Sequence, residues 1–319
     1  MIFEKAVVNM FKGMMYHRCD DTETVFYYTP EMFDGLKAEP FEFSALAGHT
    51  LKGNFYRYDN AKEGRLVVFD HGFGGGHLAY MKEIERLARA GYTVFAYDHT
   101  GCMASGGESP NGLAQSLCDL NDALCAIKAD GRFTGYDISV VGHSWGAFST
   151  MNIVALHKDI SRIVAISGFV SVEEMINTFF SGLLKGYRRA VLALETASNP
   201  TFVGYNAVES IGASDAKALL IYSSNDTLCR PVHYEILKAG LAERENVSFL
   251  YVDNKGHNPN YTEDAVRLLG DFTAQRAKFL KKKNATKAEK EAFVARFDWE
   301  AITAQDDAVW EKILAHLER

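Results

Sequence analysis

Short apolar runs alternate with segments of helical periodicity through the middle of the chain. Runs of this length, rich in Val, Ile, Phe and Tyr at consecutive positions, are typical of strands buried on both faces of a parallel sheet. Their alternation with helices predicts an α/β fold with helices on both faces of the sheet. The predicted strands lie at 65–72, 92–98, 138–144, 162–169, 218–226 and 247–257, and the predicted helices near 77–90, 111–130, 146–158, 231–243 and 261–282.

Residues 24–58 have a different pattern, in which three apolar segments follow one another without an intervening helix. They are TVFYYT (24–29), FEFSAL (41–46) and LKGNFYRY (51–58), and the turn-like AGHT joins the last two. Strands joined by short turns pair antiparallel. This region therefore predicts antiparallel strands that extend one edge of the sheet.

Residues 170–212 form a long insertion between two predicted strands. Ser171 and Glu174 have the spacing of a capping box, and apolar residues then recur at helical spacing. The apolar face is either packed on the body of the protein or part of a lid that lines a pocket. On the second interpretation, the candidate substrate contacts are Met175, Phe179 and Phe180.

The C-terminal segment 284–319 is helical in composition and carries one apolar stripe. The stripe either docks on the body or contacts a second copy, so a homo-oligomer formed through this helix is one expectation. We divide the chain into an N-terminal extension (1–40), an α/β core (41–169 and 213–280), a helical lid insertion (170–212) and a C-terminal helical extension (281–319). The stripe consists of Val309, Ile313, Leu314 and Leu317.

Composition narrows the function classes. The 319 residues are 47% hydrophobic and 24% charged, as in folded globular proteins, and the net charge of −7 disfavours nucleic acid and anionic membranes as partners. The five cysteines are scattered, without a C-x-x-C pair, which argues against a disulfide framework or zinc cluster and fits a reducing, cytoplasmic environment. We expect neither a signal peptide nor a membrane span, since no apolar run approaches the length a span needs.

The strongest chemical signal is the pentapeptide GHSWG at residues 142–146. It follows the predicted strand ISVV and precedes a helical pattern, which is the context of a G-x-S-x-G nucleophile elbow. The strand turns abruptly into a helix with Ser144 at the apex, and the flanking glycines let the backbone pass without a Cβ clash. Ser144 is therefore the candidate nucleophile.

A serine hydroxyl needs a base to accept its proton and a third group to orient that base. Asp226 follows the strand ALLIYSS, and His257 follows VSFLYVDN. Both lie after strands, where ligands bind in parallel α/β sheets. The order Ser, Asp, His along the chain is the order that this kind of elbow uses.

A glycine-rich stretch, HGFGGG at 71–76, follows the first long strand. Acyl transfer needs donors for the developing oxyanion, and we assign these to the backbone amides of Phe73 and Trp145, with Gly74 as the alternative to Phe73. A phosphate loop is disfavoured, because neither a G-K-[ST] ending nor a G-x-G-x-x-G with a ribose-binding acid is present.

Other histidines lie near these positions. We expect His143 to be buried structure, since adjacent side chains diverge at a sharp elbow. His77 and His99 lie on rim loops, where each is either a substrate contact or a solvated residue, and His77 is kept as a candidate contact. Cys229 and His233 could share a helix face, but one pair does not make a metal site, and we predict none.

The motifs HGFGGG, DHTGCMASGG, GHSWG, Asp226 in SSND and His257 in KGH resemble the α/β-hydrolase superfamily over residues 40–280. The likeness is greatest to lid-bearing serine esterases, lipases and aminopeptidase-like hydrolases. The resemblance implies a mostly parallel eight-stranded sheet, a Ser-His-Asp triad, a small-molecule acyl substrate and no metal or organic cofactor. The chain departs from the usual D-x-R-G-x-G-x-S loop, with His99 and Thr100 near the Arg-Gly position.

Three functions follow as hypotheses. The first is a serine hydrolase that cleaves carboxylic esters through an acyl-enzyme. The second is a serine aminopeptidase or amidase on the same residues, in which Glu173, Glu174 and Glu195 of the insertion would receive a substrate ammonium group. The third is a relative that binds a small ligand without turnover.

Overall fold

The chain forms one eight-stranded sheet in the computed structural model, which describes residues 2–318. The strands are β1 (Lys37–Ser44), β2 (Thr50–Arg57), β3 (Arg65–Asp70), β4 (Thr93–Tyr97), β5 (Asp137–His143), β6 (Arg162–Ile166), β7 (Lys217–Ser223) and β8 (Val247–Val252). Their order is β1-β2-β4-β3-β5-β6-β7-β8. In this order, each strand from β4 to β8 pairs parallel with the next. Strand β2 pairs antiparallel with both of its neighbours, β1 and β4. The predicted fold class is confirmed.

Helices connect the strands and cover both faces. They are α1 (Ile2–Met15), α2 (Met81–Arg89), α3 (Gln115–Ala129), α4 (Trp145–Ile153), α5 (Val172–Phe179), α6 (Arg188–Ser198), α7 (Ala207–Gly212), α8 (Pro231–Leu241), α9 (Glu263–Phe279), α10 (Lys287–Val294), α11 (Trp299–Ile302) and α12 (Asp307–Glu318). Short 3-10 turns lie at Pro30–Met32, His77–Tyr80, Gly131–Phe133 and Gly182–Tyr187.

The consecutive apolar residues of the central strands serve two cores. Leu66 and Val68 of β3 face the core formed with α1, α3, α4, α8 and the insertion, whereas Val67 and Phe69 face the core formed with α2 and α12. Side chains alternate across a strand, so a strand covered on both faces needs apolar residues at every position. The runs seen in the sequence therefore mark the interior of the sheet.

The segment 24–29 is not a strand, and that prediction is wrong. Its aromatic residues pack on other rings instead of pairing with the sheet: Phe26 stacks on Trp299 at a centroid distance of 5.9 Å, and Tyr28 lies 5.8 Å from Phe33. A 3-10 turn begins at Pro30, and β1 begins at Lys37. The antiparallel pairing of β1 with β2 is confirmed, and the division of the chain into domains stays a prediction.

The insertion consists of α5, a 3-10 turn, α6 and α7. Ser171 caps α5, where its hydroxyl accepts a hydrogen bond from the Glu174 amide at 3.2 Å. The carboxylate of Glu174 accepts from Asn177 at 3.3 Å instead of returning to the Ser171 backbone, so only half of the predicted capping box forms.

The C-terminal stripe docks on the body. Val309, Ile313 and Leu317 of the stripe are at most 4% exposed and pack in the core beside α2, together with Trp310. Leu314 is half-buried and packs against the same core. A homo-oligomer formed through this helix stays a prediction. Among residues 2–318, no helix is both long and apolar enough to cross a membrane.

Candidate active site

The elbow is built at the junction of β5 and α4. Ser144 lies between them with φ 57° and ψ −113°, a positive φ that is costly for a residue with a side chain. A Cβ at Gly146 would collide with the Asp70 carbonyl, and one at Gly142 would collide with the Thr150 hydroxyl. The two glycines are thus required by close packing, and the serine is held at the carboxyl edge of the sheet.

Asp226, His257 and Ser144 form one hydrogen-bonded relay. The Nε2 atom of His257 lies 2.8 Å from the Ser144 Oγ, and its Nδ1 lies 2.7 Å from the Asp226 Oδ2. A carboxylate can only accept, so Nδ1 carries the proton and Nε2 accepts from the serine hydroxyl. The other carboxylate oxygen of Asp226 accepts from the amides of Leu228 and Cys229, at 2.8 Å and 3.1 Å, which fixes its orientation.

The two residues whose amides are the predicted oxyanion donors line the cavity that contains Ser144. Phe73 and Trp145 line the same cavity as the serine, and their rings meet edge to face at 5.3 Å. Within residues 2–318, neither amide donates a hydrogen bond. Gly74, the alternative donor, does not line this cavity, whereas Phe73 does, so Phe73 is the better placed of the two alternatives.

A buried cluster of His99, Asp70 and Asp119 is linked to the glycine-rich loop through His71. His99 lies between Asp70 and Asp119, at 3.0 Å and 3.2 Å. Burial alone would lower the pKa of His99, but the two carboxylates raise it to about 10. His71 accepts from the His99 amide at 3.0 Å and donates to the Gly72 carbonyl at 2.7 Å. His99 is therefore a fully buried cation, and neither a solvated loop residue nor a substrate contact.

The side chains of Tyr80 and His143 link the glycine-rich loop to the loop that carries His257. The Gly72 amide donates to the Tyr80 hydroxyl at 3.1 Å, which bonds the His143 Nδ1 at 2.9 Å. The His143 Nε2 donates to the His257 carbonyl at 2.8 Å. Burial lowers the pKa of His143 to about 3, so the ring is neutral and can donate and accept at once. No motif marks Tyr80.

The serine opens into a cavity of about 310 Å³, which we call the apolar cavity. Within residues 2–318 no Asp or Glu lines it, and much of its wall is aliphatic, aromatic or thioether. Two of the predicted contacts, Met175 and Phe179, lie in this wall. Its lining residues are Met14, Met15, Gly72, Phe73, Tyr80, Leu113, His143, Ser144, Trp145, Phe169, Met175, Phe179, Leu228 and His257.

Two predicted substrate contacts lie elsewhere. His77 is 5% exposed and bonds Asp98 through Nδ1 at 2.6 Å and Tyr56 through Nε2 at 2.8 Å. Phe180 is 3% exposed and lies 6.0 Å from the Phe11 ring. Both are corrections: the loop of His77 folds inward onto Asp98, and Phe180 lies outside the cavity wall, against α1. No pattern in the sequence indicates that Met14 and Met15 of α1 line the same cavity as Ser144.

The carboxylates proposed to receive an ammonium group are not at the cavity. Glu173 is exposed, and Glu174 is half-buried and bonded to Asn177. Glu195 is fully buried, where it accepts from the Tyr16 hydroxyl at 2.9 Å and from the Leu113 amide at 2.7 Å. Burial raises the pKa of Glu195 to about 7. It is a tether between the insertion and the pocket rim.

The groups that could hold a metal ion are already engaged. Cys118, Asp119 and Asp122 lie within 4.8 Å of one another. Asp119 bonds His99, Thr100 and Gln115, and Asp122 accepts from the Leu46 amide. These carboxylate oxygens serve the protein's own donors.

Comparison of the sequence with known proteins identifies the family of this chain. The family model described as serine aminopeptidase, S33, matches residues 61–232, more than half of the chain. The AB hydrolase superfamily protein YfhM of Bacillus subtilis (strain 168) is 25% identical over 136 residues, which cover 42% of this chain and 44% of YfhM. This chain thus matches less than half the length of that curated relative.

Solved structures of low identity share the fold. The esterase Pf2001 of Pyrococcus furiosus superposes with a TM-score of 0.59 at 21% identity, over 84% of this chain and 97% of that one. A putative dienelactone hydrolase of Klebsiella pneumoniae gives 0.55 at 16% identity, over 89% and 99%. Acetyl xylan esterase 1 of Thermoanaerobacterium gives 0.54 at 15% identity, over 76% and 83%. With the matched residues and this sheet, the chain belongs to the S33 serine aminopeptidase family of α/β hydrolases.

Proposed function

We propose that this protein is a serine hydrolase that cleaves carboxylic esters through an acyl-enzyme. The observation that carries the proposal is the relay from Asp226 through His257 to Ser144, with bonds of 2.7 Å and 2.8 Å, at the edge of an apolar cavity. A hydroxyl already bonded to an imidazole nitrogen is poised to transfer its proton to that nitrogen as it attacks.

The proposed reaction has two steps, acylation of Ser144 and hydrolysis of the acyl-enzyme. Ser144 attacks the ester carbonyl, and His257 takes the serine proton and passes it to the leaving alcohol. Asp226 holds the imidazole tautomer and stabilises its positive charge. The amides of Phe73 and Trp145 receive the oxyanion, and the position of Trp145 at the N-terminus of α4 favours negative charge there. Water then attacks the acyl-enzyme, with His257 as base again.

We further propose that the insertion acts as a lid over the acyl group. Met175 and Phe179 of α5 line the apolar cavity, and α1 contributes Met14 and Met15 to the same wall. Each CH₂ of an acyl chain that is buried against these side chains stabilises binding by about 0.8 kcal/mol. An apolar acyl group fits this wall best.

The decisive test is Ser144→Ala assayed with short-chain aryl esters. Loss of the nucleophile should lower kcat by about 10⁴-fold or more. The control is Ser181→Ala, because Ser181 is an exposed serine of the insertion; it should keep the wild-type rate. A fluorophosphonate probe should label Ser144 in the wild type. A Ser144→Ala variant that keeps its activity would refute the assignment.

A serine aminopeptidase or amidase is the second candidate, favoured by the description of the family model. A peptidase that selects a free N-terminus needs an anion for the ammonium group, and within residues 2–318 no carboxylate lines the apolar cavity. Comparing turnover of an aryl ester with that of an aminoacyl anilide separates the two. Faster turnover of the anilide would reverse the ranking, and a folded protein that turns over neither and resists the probe would be a binding relative.

A further inference from the structure

A second cavity, of about 230 Å³, adjoins the apolar cavity. Gly72, Phe73 and Tyr80 line both, so the glycine-rich loop forms a shared wall. Asn258, the residue after His257, also lines the second cavity. The remaining walls come from residues 25–27, α9 and α11. A substrate held at Ser144 in the apolar cavity therefore has a second space beyond the residues that line both cavities.

The second cavity differs from the first in charge. Arg276 of α9 is its one cationic lining residue, and within residues 2–318 no Asp or Glu lines it. We call it the arginine cavity. In a chain with a net charge of −7, a cavity walled by an arginine without a carboxylate is locally positive. Such a space favours an anionic group.

The guanidinium of Arg276 has neutral partners only. Its Nε donates to the Thr24 hydroxyl and its Nη2 to the Thr22 hydroxyl, both at 2.9 Å. Among the described residues it forms no ion pair, whereas Arg65 and Arg162 both pair with Asp137. A guanidinium has five N–H donors, so those on Nη1 are not used by these two bonds. The threonines hold the group in place and leave its charge uncompensated.

We propose that the arginine cavity binds the leaving-group side of the ester, and that Arg276 pairs with a carboxylate carried there. This inference rests on the proposed function of Ser144 and names its substrate class: esters between an apolar acyl group and a hydroxycarboxylate. The acyl chain occupies the apolar cavity, and the ester carbonyl lies against Phe73. The C–O bond breaks toward the arginine cavity, and His257 protonates the departing oxygen to release the hydroxycarboxylate. Water then attacks the acyl group on Ser144 and releases the fatty acid.

The test uses two esters of matched size, 4-carboxyphenyl butyrate and 4-carbamoylphenyl butyrate, which differ in the charge of the para group. Each enzymatic kcat/KM is divided by the hydroxide-catalysed rate of the same ester, because the two phenols also differ as leaving groups. A charge-assisted bond to Arg276 should raise kcat/KM for the carboxylate about ten- to a hundredfold over the neutral amide in the wild type. Arg276→Gln should reduce this preference to about one, because kcat/KM for the carboxylate ester falls to the level of the neutral ester measured with the same variant. Arg276→Lys, which keeps the charge, should retain part of the preference.

The control variant is Arg296→Gln. Arg296 is an exposed cation of the same C-terminal part that lines neither cavity. It should leave the preference unchanged, and an equal loss in both glutamine variants would mean long-range attraction and overturn the proposal. A wild type without preference for the carboxylate would overturn it as well, even if Ser144→Ala abolishes both activities. Activity that survives Ser144→Ala would instead overturn the proposed function beneath it.

Discussion

At the scale of single residues, the bridge from Tyr80 through His143 ties the two loops that the proposed reaction uses. Tyr80 bonds the Gly72 amide, next to the predicted oxyanion donor Phe73, and His143 holds the backbone carbonyl of His257. The reacting groups must stay within a fraction of an ångström of their productive positions, because small misplacements are costly in rate. We therefore expect the bridge to position the proposed base, His257, and the loop of the proposed oxyanion donor, Phe73, relative to Ser144.

Removing the bridge should slow the chemical step. We expect Tyr80→Phe and His143→Phe to lower kcat by about ten- to a hundredfold, since each loses a bond that holds a reacting loop. His143→Gln keeps a donor and an acceptor and should recover part of the loss. The measurement is kcat and KM with an aryl ester, together with the rate of fluorophosphonate labelling. Equal losses in His143→Gln and His143→Phe, or unchanged kcat in all three variants, would contradict a positioning role.

The sequence was informative where backbone position decides a residue's place. Ser144, Asp226 and His257 each follow a strand, and the ends of parallel strands meet at one edge, so their convergence could be predicted. The role of Tyr80 could not be predicted, because Tyr80 lies on a 3-10 turn and no motif indicates that its hydroxyl bonds Gly72 and His143. His77 was misplaced for a related reason: a loop residue points outward or inward according to partners such as Asp98, which neighbouring sequence does not reveal.

At the scale of elements, Glu195 links α6 of the insertion to the body. It accepts hydrogen bonds from Tyr16, just after α1, and from Leu113, which lines the apolar cavity. The insertion, the N-terminal helix and the pocket rim thus share one buried carboxyl group. Because burial raises the pKa of this group to about 7, its protonation changes near neutral pH.

The sign of the effect follows from linkage. The folded state holds the Glu195 proton more tightly than the unfolded chain, whose glutamate has its ordinary pKa near 4.5. This contribution to stability is complete below about pH 4.5 and is lost as the pH rises through about 7. The difference corresponds to roughly 3 kcal/mol as an upper value. We expect Glu195→Gln to weaken the fall in unfolding free energy between pH 4 and pH 8 by up to that amount, measured by urea denaturation.

Glu83 supplies the matched comparison. Burial raises its pKa to about 7 as well, but it lies on α2, outside the insertion, where Asn260 donates to it at 3.2 Å. Glu83→Gln should also flatten the pH dependence of stability. Only Glu195→Gln should alter the rate at which protease cuts the exposed turn Gly182–Tyr187 relative to wild type at the same pH. The same cleavage change in both variants would show that Glu195 does not tether the insertion.

The elements themselves could be predicted unevenly. Strands β3 to β8 lie within a few residues of their apolar runs, because a strand covered on both faces leaves no other pattern open. Residues 24–29 have equally apolar aromatic residues, yet they pack on Trp299 and Phe33 instead of adding to the sheet. Aromatic side chains are satisfied by either kind of burial, and only the tertiary structure decides between them.

At the scale of the whole molecule, the C-terminal segment completes the hydrophobic core on one face of the sheet. Trp310 of α12 is fully buried in the core beside α2, and its indole N–H donates to Gln305 at 2.7 Å. The Arg86 guanidinium lies 5.4 Å from the centre of the same ring. Without α12, the side chains of β3, β4 and β6 on this face would lose part of their cover.

Trp310 should therefore contribute to the stability of the entire fold and not of one element. Replacing a buried tryptophan by alanine removes its apolar surface and leaves a cavity, at a cost of about 3–5 kcal/mol. Small domains have only about 5–15 kcal/mol in total, so Trp310→Ala should lower the urea midpoint of the single unfolding transition substantially. Leu280→Ala, at a side chain that is 47% exposed, should change it by less than about 0.5 kcal/mol. A side chain that fills this chain's own core cannot be removed without weakening the fold. If Trp310→Ala kept the urea midpoint and instead changed the molecular mass in solution, Trp310 would belong to an interface between copies, and the prediction would be wrong.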